Sequence, residues 1–217
     1  MERDMTGRLL HLDASARSTS LSRRLTAAFA AEWPGERIYR DLAADPVPLI
    51  DEAWTELCDY VLEHEITEIG RYEEAVRTER QAAAWSVIEP LLGELTAADV
   101  ILIGTPMYNF SIPASLKAWI DQVTFPRMSL APRRFVVASA RGGAYGPGMP
   151  REPYDHQERY LRDFFAGHFG VTDADFVSAE LANARVDPAL AHRREQHEKS
   201  LETALEELRR LARGLAS

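Results

Sequence analysis

Short apolar runs alternate with longer stretches of helical spacing along nearly the whole chain. Leu9, Leu10 and Leu12 surround His11 in a run that ends at Asp13 and opens into a Ser-rich turn. Residues 20–33 then place apolar side chains at helical intervals, which predicts strand, loop, helix. A second run around Ile38 and Tyr39 predicts a strand, and Ala44-Asp45-Pro46-Val47-Pro48 breaks regular structure after it. Residues 52–98 are helix-prone and predict two helical pieces, with Gly70 and Pro90 as candidate interruptions. From Val100 five successive residues are apolar or Gly, the pattern of a strand covered on both faces, and this strand is placed at the sheet centre. Pro113 predicts the start of a helix ending near Phe125 and Pro126. Beyond it the pattern predicts a strand over 134–139, a helix over 154–169, a fifth strand over 176–179 and a charged helix over 188–213. Strands alternating with helices predict a parallel sheet with right-handed crossovers and helices on both faces. No repeat or linker divides the sequence, so residues 1–217 are read as one α/β domain.

Charge and composition narrow the function classes. Lys and Arg number 25 against 34 Asp and Glu, a formal charge of -9, and no local basic patch offers itself to nucleic acid. In the C-terminal segment the pairs Arg193-Arg194 and Arg209-Arg210 are interleaved with Glu195, Glu202, Glu206 and Glu207, the pattern of a solvated face. Cys58 is the only cysteine, which excludes an intrachain disulfide and a thiolate metal site and fits a reducing cytoplasm. The apolar run at Leu9 is far shorter than a membrane span or a signal core, so neither export nor insertion is expected. The histidines form no HExxH pattern, and His192 with His197 makes a poor helical metal pair, so both are read as exposed and no metal is expected.

In an open parallel sheet ligands bind beyond the carboxyl ends of the strands, where three loops carry candidate chemistry. The first contains Ser15, Ser18, Thr19 and Ser20. Small hydroxyl residues at a helix start admit a phosphate, which the N–H groups and helix dipole attract; an ordinary N-cap by Ser18 or Ser20 is the alternative. The second is Pro106-Met107-Tyr108-Asn109-Phe110, where an apolar and aromatic wall beside an amide side chain suits a planar heterocycle. Its alternative is that Met107, Tyr108 and Phe110 are core residues at the sheet edge. The third runs through Ser139, Ala140, Arg141, Gly142, Gly143 and Tyr145, where paired glycines permit close backbone approach to a ligand or form a flexible connection.

Together these loops resemble the FMN-dependent NADH-azoreductases and NAD(P)H:quinone reductases of the flavodoxin-like fold. Pro106-Met107-Tyr108-Asn109-Phe110 is the specific match, supported by Arg141-Gly142-Gly143 and by the segment from Asp41 to Pro48. The resemblance implies a five-stranded parallel sheet of order 2-1-3-4-5. It also implies FMN held through its phosphate by Ser15, Ser18, Thr19 and Ser20, and through its ring by Pro106, Met107, Tyr108, Asn109, Phe110, Ser139, Arg141, Gly142 and Gly143. NADH or NADPH is the implied donor, a quinone or azo compound the small-molecule acceptor, and a homodimer the implied assembly. Two departures stand out. Ala140 replaces a serine frequent before the Arg-Gly-Gly, leaving Ser139 to supply that hydroxyl or none. The connection 124–134 is shorter than the aromatic-containing hairpin of the azoreductases, and Phe125 and Met128 either rebuild part of that wall or tuck the connection onto the core.

Such a site positions and tunes its cofactor. Backbone amides of the turn from Met107 to Asn109, or the Asn109 side chain, are expected to stabilise negative charge on a reduced ring, and Arg141 or Tyr145 are weak candidates for assisting a proton or an anionic acceptor. Alternative readings are a flavodoxin-type electron carrier, a pathway-specific reductase or tailoring enzyme, and a flavin-free relative with a regulatory role.

Overall fold

The computed structural model describes residues 7–216. Its five strands are β1 (Leu9–Asp13), β2 (Arg37–Asp41), β3 (Val100–Pro106), β4 (Arg134–Ala140) and β5 (Asp175–Ala179). All pairings are parallel and the order is β2-β1-β3-β4-β5, so β3 is central. Every residue of β1 and β3 is buried, which is why these strands read as predominantly apolar runs, with His11, Asp13 and Thr105 as buried polar members.

Successive side chains of a strand feed opposite faces. Leu10, Leu12, Ile101, Ile103, Phe135 and Val137 enter one core, which is closed by α2 (Glu52–Glu63), α3 (Glu79–Ala97), α4 (Ala114–Val123) and α5 (His156–Phe164). Leu9, Val100, Leu102, Val136 and Val177 enter the other, closed by α1 (Leu21–Glu32) and α6 (Arg194–Leu215). Helix α1 starts where Ser20 Oγ accepts from Arg23 N at 3.1 Å, and it buries Leu21, Leu25 and Phe29 at four-residue spacing.

The predicted elements differ from the observed ones in instructive places. Residues 52–98 form α2, a 3₁₀ segment Ile69–Ala75 that contains Gly70, and α3, which opens on a capping box between Thr78 and Gln81. Pro90 does not interrupt α3. It lies on an exposed face together with Ser86, whose carbonyl loses its helical partner to the proline, so water can satisfy that carbonyl. The helix expected over 154–169 is a short 3₁₀ turn Glu152–Tyr154, then α5, then π-helical turns Phe165–Phe169 that end at Gly170 with φ 67°. The helix expected from 188 begins as a 3₁₀ segment Pro188–Arg193 before α6.

His192 is exposed as expected, but His197 is buried at 2% exposure, with Nδ1 2.7 Å from the Glu180 carbonyl oxygen. It faces inward because α6 turns that side toward the end of β5. The connection 124–134 packs against the core. Phe125 is fully buried, stacked on Tyr72 at 4.6 Å and touching Trp54 and Trp85, and Met128 is buried beside it. This connection enters β4 at its amino end, opposite the carboxyl ends of the strands. Among the described residues no helix is long and apolar enough to cross a membrane.

Candidate functional site

The carboxyl ends of β1, β3, β4 and β5 open onto a cavity of about 380 Å³. This lies within the size range of small-molecule and cofactor sites. Its lining joins three of the predicted loops to a fourth, the segment after β5.

In the first loop Ser15, Thr19 and Ser20 line the cavity, while Ser18 is exposed and does not. The Arg23 side chain fixes the shape of this loop. Its Nη2 donates to the Ser15 carbonyl at 2.8 Å and its Nε to the Arg17 carbonyl at 3.0 Å, while both terminal nitrogens hold Asp41 at 2.7 and 2.8 Å. The bidentate bond from Arg23 holds the Asp41 carboxyl below its ordinary value, and the same bond raises the Arg23 guanidinium. Asp41 Oδ1 also accepts from the backbone N–H groups of Ala43 and Ala44. With Ser20 capping Arg23 N, the N–H groups of Leu21 and Ser22 have no acceptor among the described residues. The start of α1 therefore presents free donors and a positive dipole end to the cavity, which Leu21 also lines.

Below this loop Asp13 is buried and accepts from the Thr26 hydroxyl at 2.9 Å and the Tyr39 hydroxyl at 3.1 Å. Burial, reinforced by the Asp13 charge, pushes the Tyr39 phenol up from its ordinary value. His11 Nε2 lies 3.4 Å from the same carboxylate.

Pro106, Met107, Tyr108, Asn109 and Phe110 all line the cavity. Tyr108 and Ser111 exchange two backbone hydrogen bonds at 3.0 Å around Asn109 and Phe110, whose φ angles are 49° and 69°. This is a two-residue hairpin turn with both central residues left-handed, a conformation that favours glycine at the second position. Phe110 accepts that backbone strain while its ring stacks on Tyr154 at 5.4 Å and meets Tyr145 edge-on at 6.3 Å. Its carbonyl accepts from His156 N at 3.1 Å, and Gln157 Nε2 holds the Pro106 carbonyl at 2.8 Å. Two of the amides expected to face a ligand are engaged inside the chain: Met107 N donates to Ala140 O and Tyr108 N to Ser111 O. The Asn109 N–H and side chain have no partner among the described residues.

In the third loop Ala140, Gly142, Gly143 and Tyr145 line the cavity, whereas Ser139 and Arg141 do not. Ser139 Oγ shares a 2.7 Å hydrogen bond with Ser178 Oγ, so it turns away and supplies no hydroxyl in place of Ala140. The Arg141 side chain is buried, donating to Asp155 at 2.7 Å, to Glu158 at 3.0 Å and to Ser139 Oγ at 3.2 Å. It braces the start of α5 against the end of β4 and does not line the cavity. The N–H groups of Gly142 and Gly143 are unpartnered among the described residues, while their carbonyls and that of Arg141 accept from Asn183, Leu181 and Ala182.

That last contact brings in residues the sequence reading did not select: Ala182, Asn183, Arg185 and Val186, together with Arg17 and Arg151. Asn183 faces Gly142, where a Cβ would meet its side-chain atoms at 2.8 Å. The segment after β5 follows the same strand-end rule as the other loops, and that rule was the signal available for it. No Asp or Glu lines the cavity among the described residues.

Residues 7–204 match the flavodoxin-like fold family. An FMN-dependent NADH:quinone oxidoreductase of Nocardia farcinica is 66% identical over 210 residues, covering 94% of this chain and 97% of the relative. Another protein of that description, from Streptomyces coelicolor, is 38% identical over 212 residues, covering 90% and 89%. Among solved structures, an FMN-dependent NADH-azoreductase from Bacillus anthracis in complex with FMN superposes with a TM-score of 0.74 at 21% identity, over 97% of this chain and 100% of that one. At that identity the likeness speaks for the fold. The strand order, the cavity at the strand ends and the full-length similarity agree, and the chain belongs to the flavodoxin-like fold family that includes the FMN-dependent NADH:quinone oxidoreductases.

Proposed function

We infer that this cavity holds FMN and that the chain passes electrons from NADH or NADPH to a small quinone- or azo-type acceptor. The observation that carries the reading is the pairing of unlike ends in one acid-free cavity. At one end the start of α1 offers unpartnered N–H groups beside Ser15, Thr19 and Ser20, suited to a phosphate. At the other, the hairpin turn at Asn109 and Phe110 faces the Gly142-Gly143 turn across a space for a planar ring.

FMN, when bound, supplies hydride acceptance from the nicotinamide and delivery to the acceptor. The chain's own residues orient and tune. The free N–H groups of Gly142, Gly143 and Asn109 offer preorganised donors to negative charge on the ring, an electrostatic role that needs no titrating acid. Arg23 keeps the phosphate loop in shape without entering the cavity, and Arg141 does the same for the glycine turn. Tyr145, buried and cavity-lining beside Phe110, places a phenol in reach of a bound acceptor.

A homodimer belongs to the same reading. Phe110, Tyr154 and Val186 are exposed by 40, 52 and 75% around the mouth of the cavity, an apolar rim that a second copy would cover. Light scattering of the FMN-loaded protein at micromolar concentration tests it, and a monomer refutes it.

The reaction is tested by the absorbance spectrum of the purified protein followed by anaerobic NADH titration. Yellow protein that bleaches fully by two electrons and recovers on addition of a quinone is expected. Colourless protein that gains no thermal stability with FMN refutes the cofactor, and bleaching that halts after one electron marks an electron carrier instead.

A further inference from the structure

Three arginines line the cavity, and the FMN assignment accounts for one of them. Arg17 belongs to the loop of Ser15, Thr19 and Ser20, at the end where α1 begins. Arg151 and Arg185 line the side of the glycine turn. A Cβ built on Gly143 would meet Arg151 Cδ and Nη1, each at 3.2 Å, so this side chain lies along the turn. Arg185 ends the 3₁₀ segment Ala182–Arg185, whose Ala182 and Asn183 face the same space.

Neither guanidinium has an ion pair or hydrogen bond among the described residues. Acids outnumber bases 34 to 25 in this chain, yet among the described residues none lines the cavity with these two arginines. Arg141, close by in sequence, shows the contrast, since its guanidinium is met by Asp155 and Glu158. Both side chains are exposed and line the same cavity. Two like charges on the rim of one hollow repel each other, and an anion between them relieves that repulsion. Planar guanidiniums also match the geometry of phosphate, sulfonate and carboxylate oxygens.

We propose that Arg151 and Arg185 form a second anion subsite at the Gly142-Gly143 end of the cavity, which takes a phosphate of the nicotinamide donor or an acidic group carried by the acceptor. The proposal rests on the FMN reading, which gives the phosphate of the cofactor to the opposite loop. The subsite makes the negatively charged chain selective for anionic partners at the point where they meet the ring.

The test compares FMN-loaded wild type with an Arg151→Gln, Arg185→Gln double variant. Oxidised NAD, 2-naphthalenesulfonate and neutral 2-naphthol, none of which transfers hydride to FMN, are titrated at low ionic strength and followed by the perturbation of flavin absorbance. The expected result is a loss of about tenfold or more in affinity for at least one anion, with 2-naphthol and FMN affinities unchanged and with partial recovery in an Arg151→Lys, Arg185→Lys double variant. A loss confined to oxidised NAD assigns the subsite to the donor, and one confined to the sulfonate assigns it to the acceptor. Unchanged affinity for both anions overturns the proposal. So does loss of FMN from the variant, which would give the arginines to the cofactor's own phosphate and leave the FMN reading standing. Failure of wild type to bind FMN sinks that reading by itself. The same anion titrations of the cofactor-free chain, followed by intrinsic fluorescence, then decide whether the two arginines hold anions.

Discussion

Asp13 and Gly104 are register partners on adjacent strands, and the carboxylate of Asp13 fills the space where a side chain on Gly104 would begin. A Cβ there would run into Asp13 Oδ1 and would lie 2.7 Å from Thr26 Cγ2. The absence of a side chain on β3 is thus what lets Asp13 reach Thr26 and Tyr39 beneath the first loop. Gly104→Ala is expected to destabilise the protein by about 2–3 kcal/mol, since overpacking here also displaces a buried carboxylate from its donors. The midpoint of urea unfolding measures it, and a change within experimental error would show that Asp13 can move aside freely.

The pair of Arg23 and Asp41 makes a pH-dependent contribution whose sign follows from the lowered Asp41 carboxyl. A carboxyl with a folded value below its unfolded one stabilises the fold above the unfolded value, and that contribution is lost as pH falls through the folded one. Asp41→Asn should therefore cost about 1–2 kcal/mol at pH 7, allowing for the partial exposure of the pair, and the difference from wild type should shrink as pH drops below 3.8. Parallel unfolding curves for the two proteins at all pH values would show that the pair contributes nothing measurable.

Ser20 has two separable roles, capping α1 and lining the cavity. Aspartate caps helices as well as serine but repels a phosphate. Ser20→Asp should leave the unfolding midpoint within about 0.5 kcal/mol of wild type while weakening FMN binding at least about tenfold. Fluorescence quenching of FMN on titration gives the affinity, and undiminished binding would move the phosphate to another part of the cavity.

Phe125 packs among Tyr72, Trp54 and Trp85 and does not line the cavity. Phe125→Ala should cost about 3–5 kcal/mol of stability through the void it leaves. The variant that remains folded should keep the wild-type KM for a quinone acceptor. A raised KM with unchanged stability would return the 124–134 connection to the role of a cover over the site.

Apolar runs made the central strands legible, because a strand buried on both faces is apolar nearly throughout, as Val100, Ile101, Leu102 and Ile103 are. The partly exposed edge strands β2 and β5 were read instead from short apolar pairs between turn and helix signals. The loops after β1, β3 and β4 were equally legible, since a parallel sheet sends ligands to the strand ends and small, aromatic or Gly-rich segments stand out there. The fate of individual charged and aromatic side chains was decided only in the folded chain. Arg141 looks in sequence like a residue of a ligand loop, yet its partners Asp155 and Glu158 come from a helix that docks beside it, and they draw it inward. Phe125 reads as either wall or core until α2 and α3 supply the rings around it. Arg151 and Arg185 carry no local pattern at all, and they meet at one cavity because the segments after β4 and β5 fold over the same strand ends. Local sequence encodes periodicity, which sets each element, whereas pairing between residues distant in sequence depends on how those elements pack.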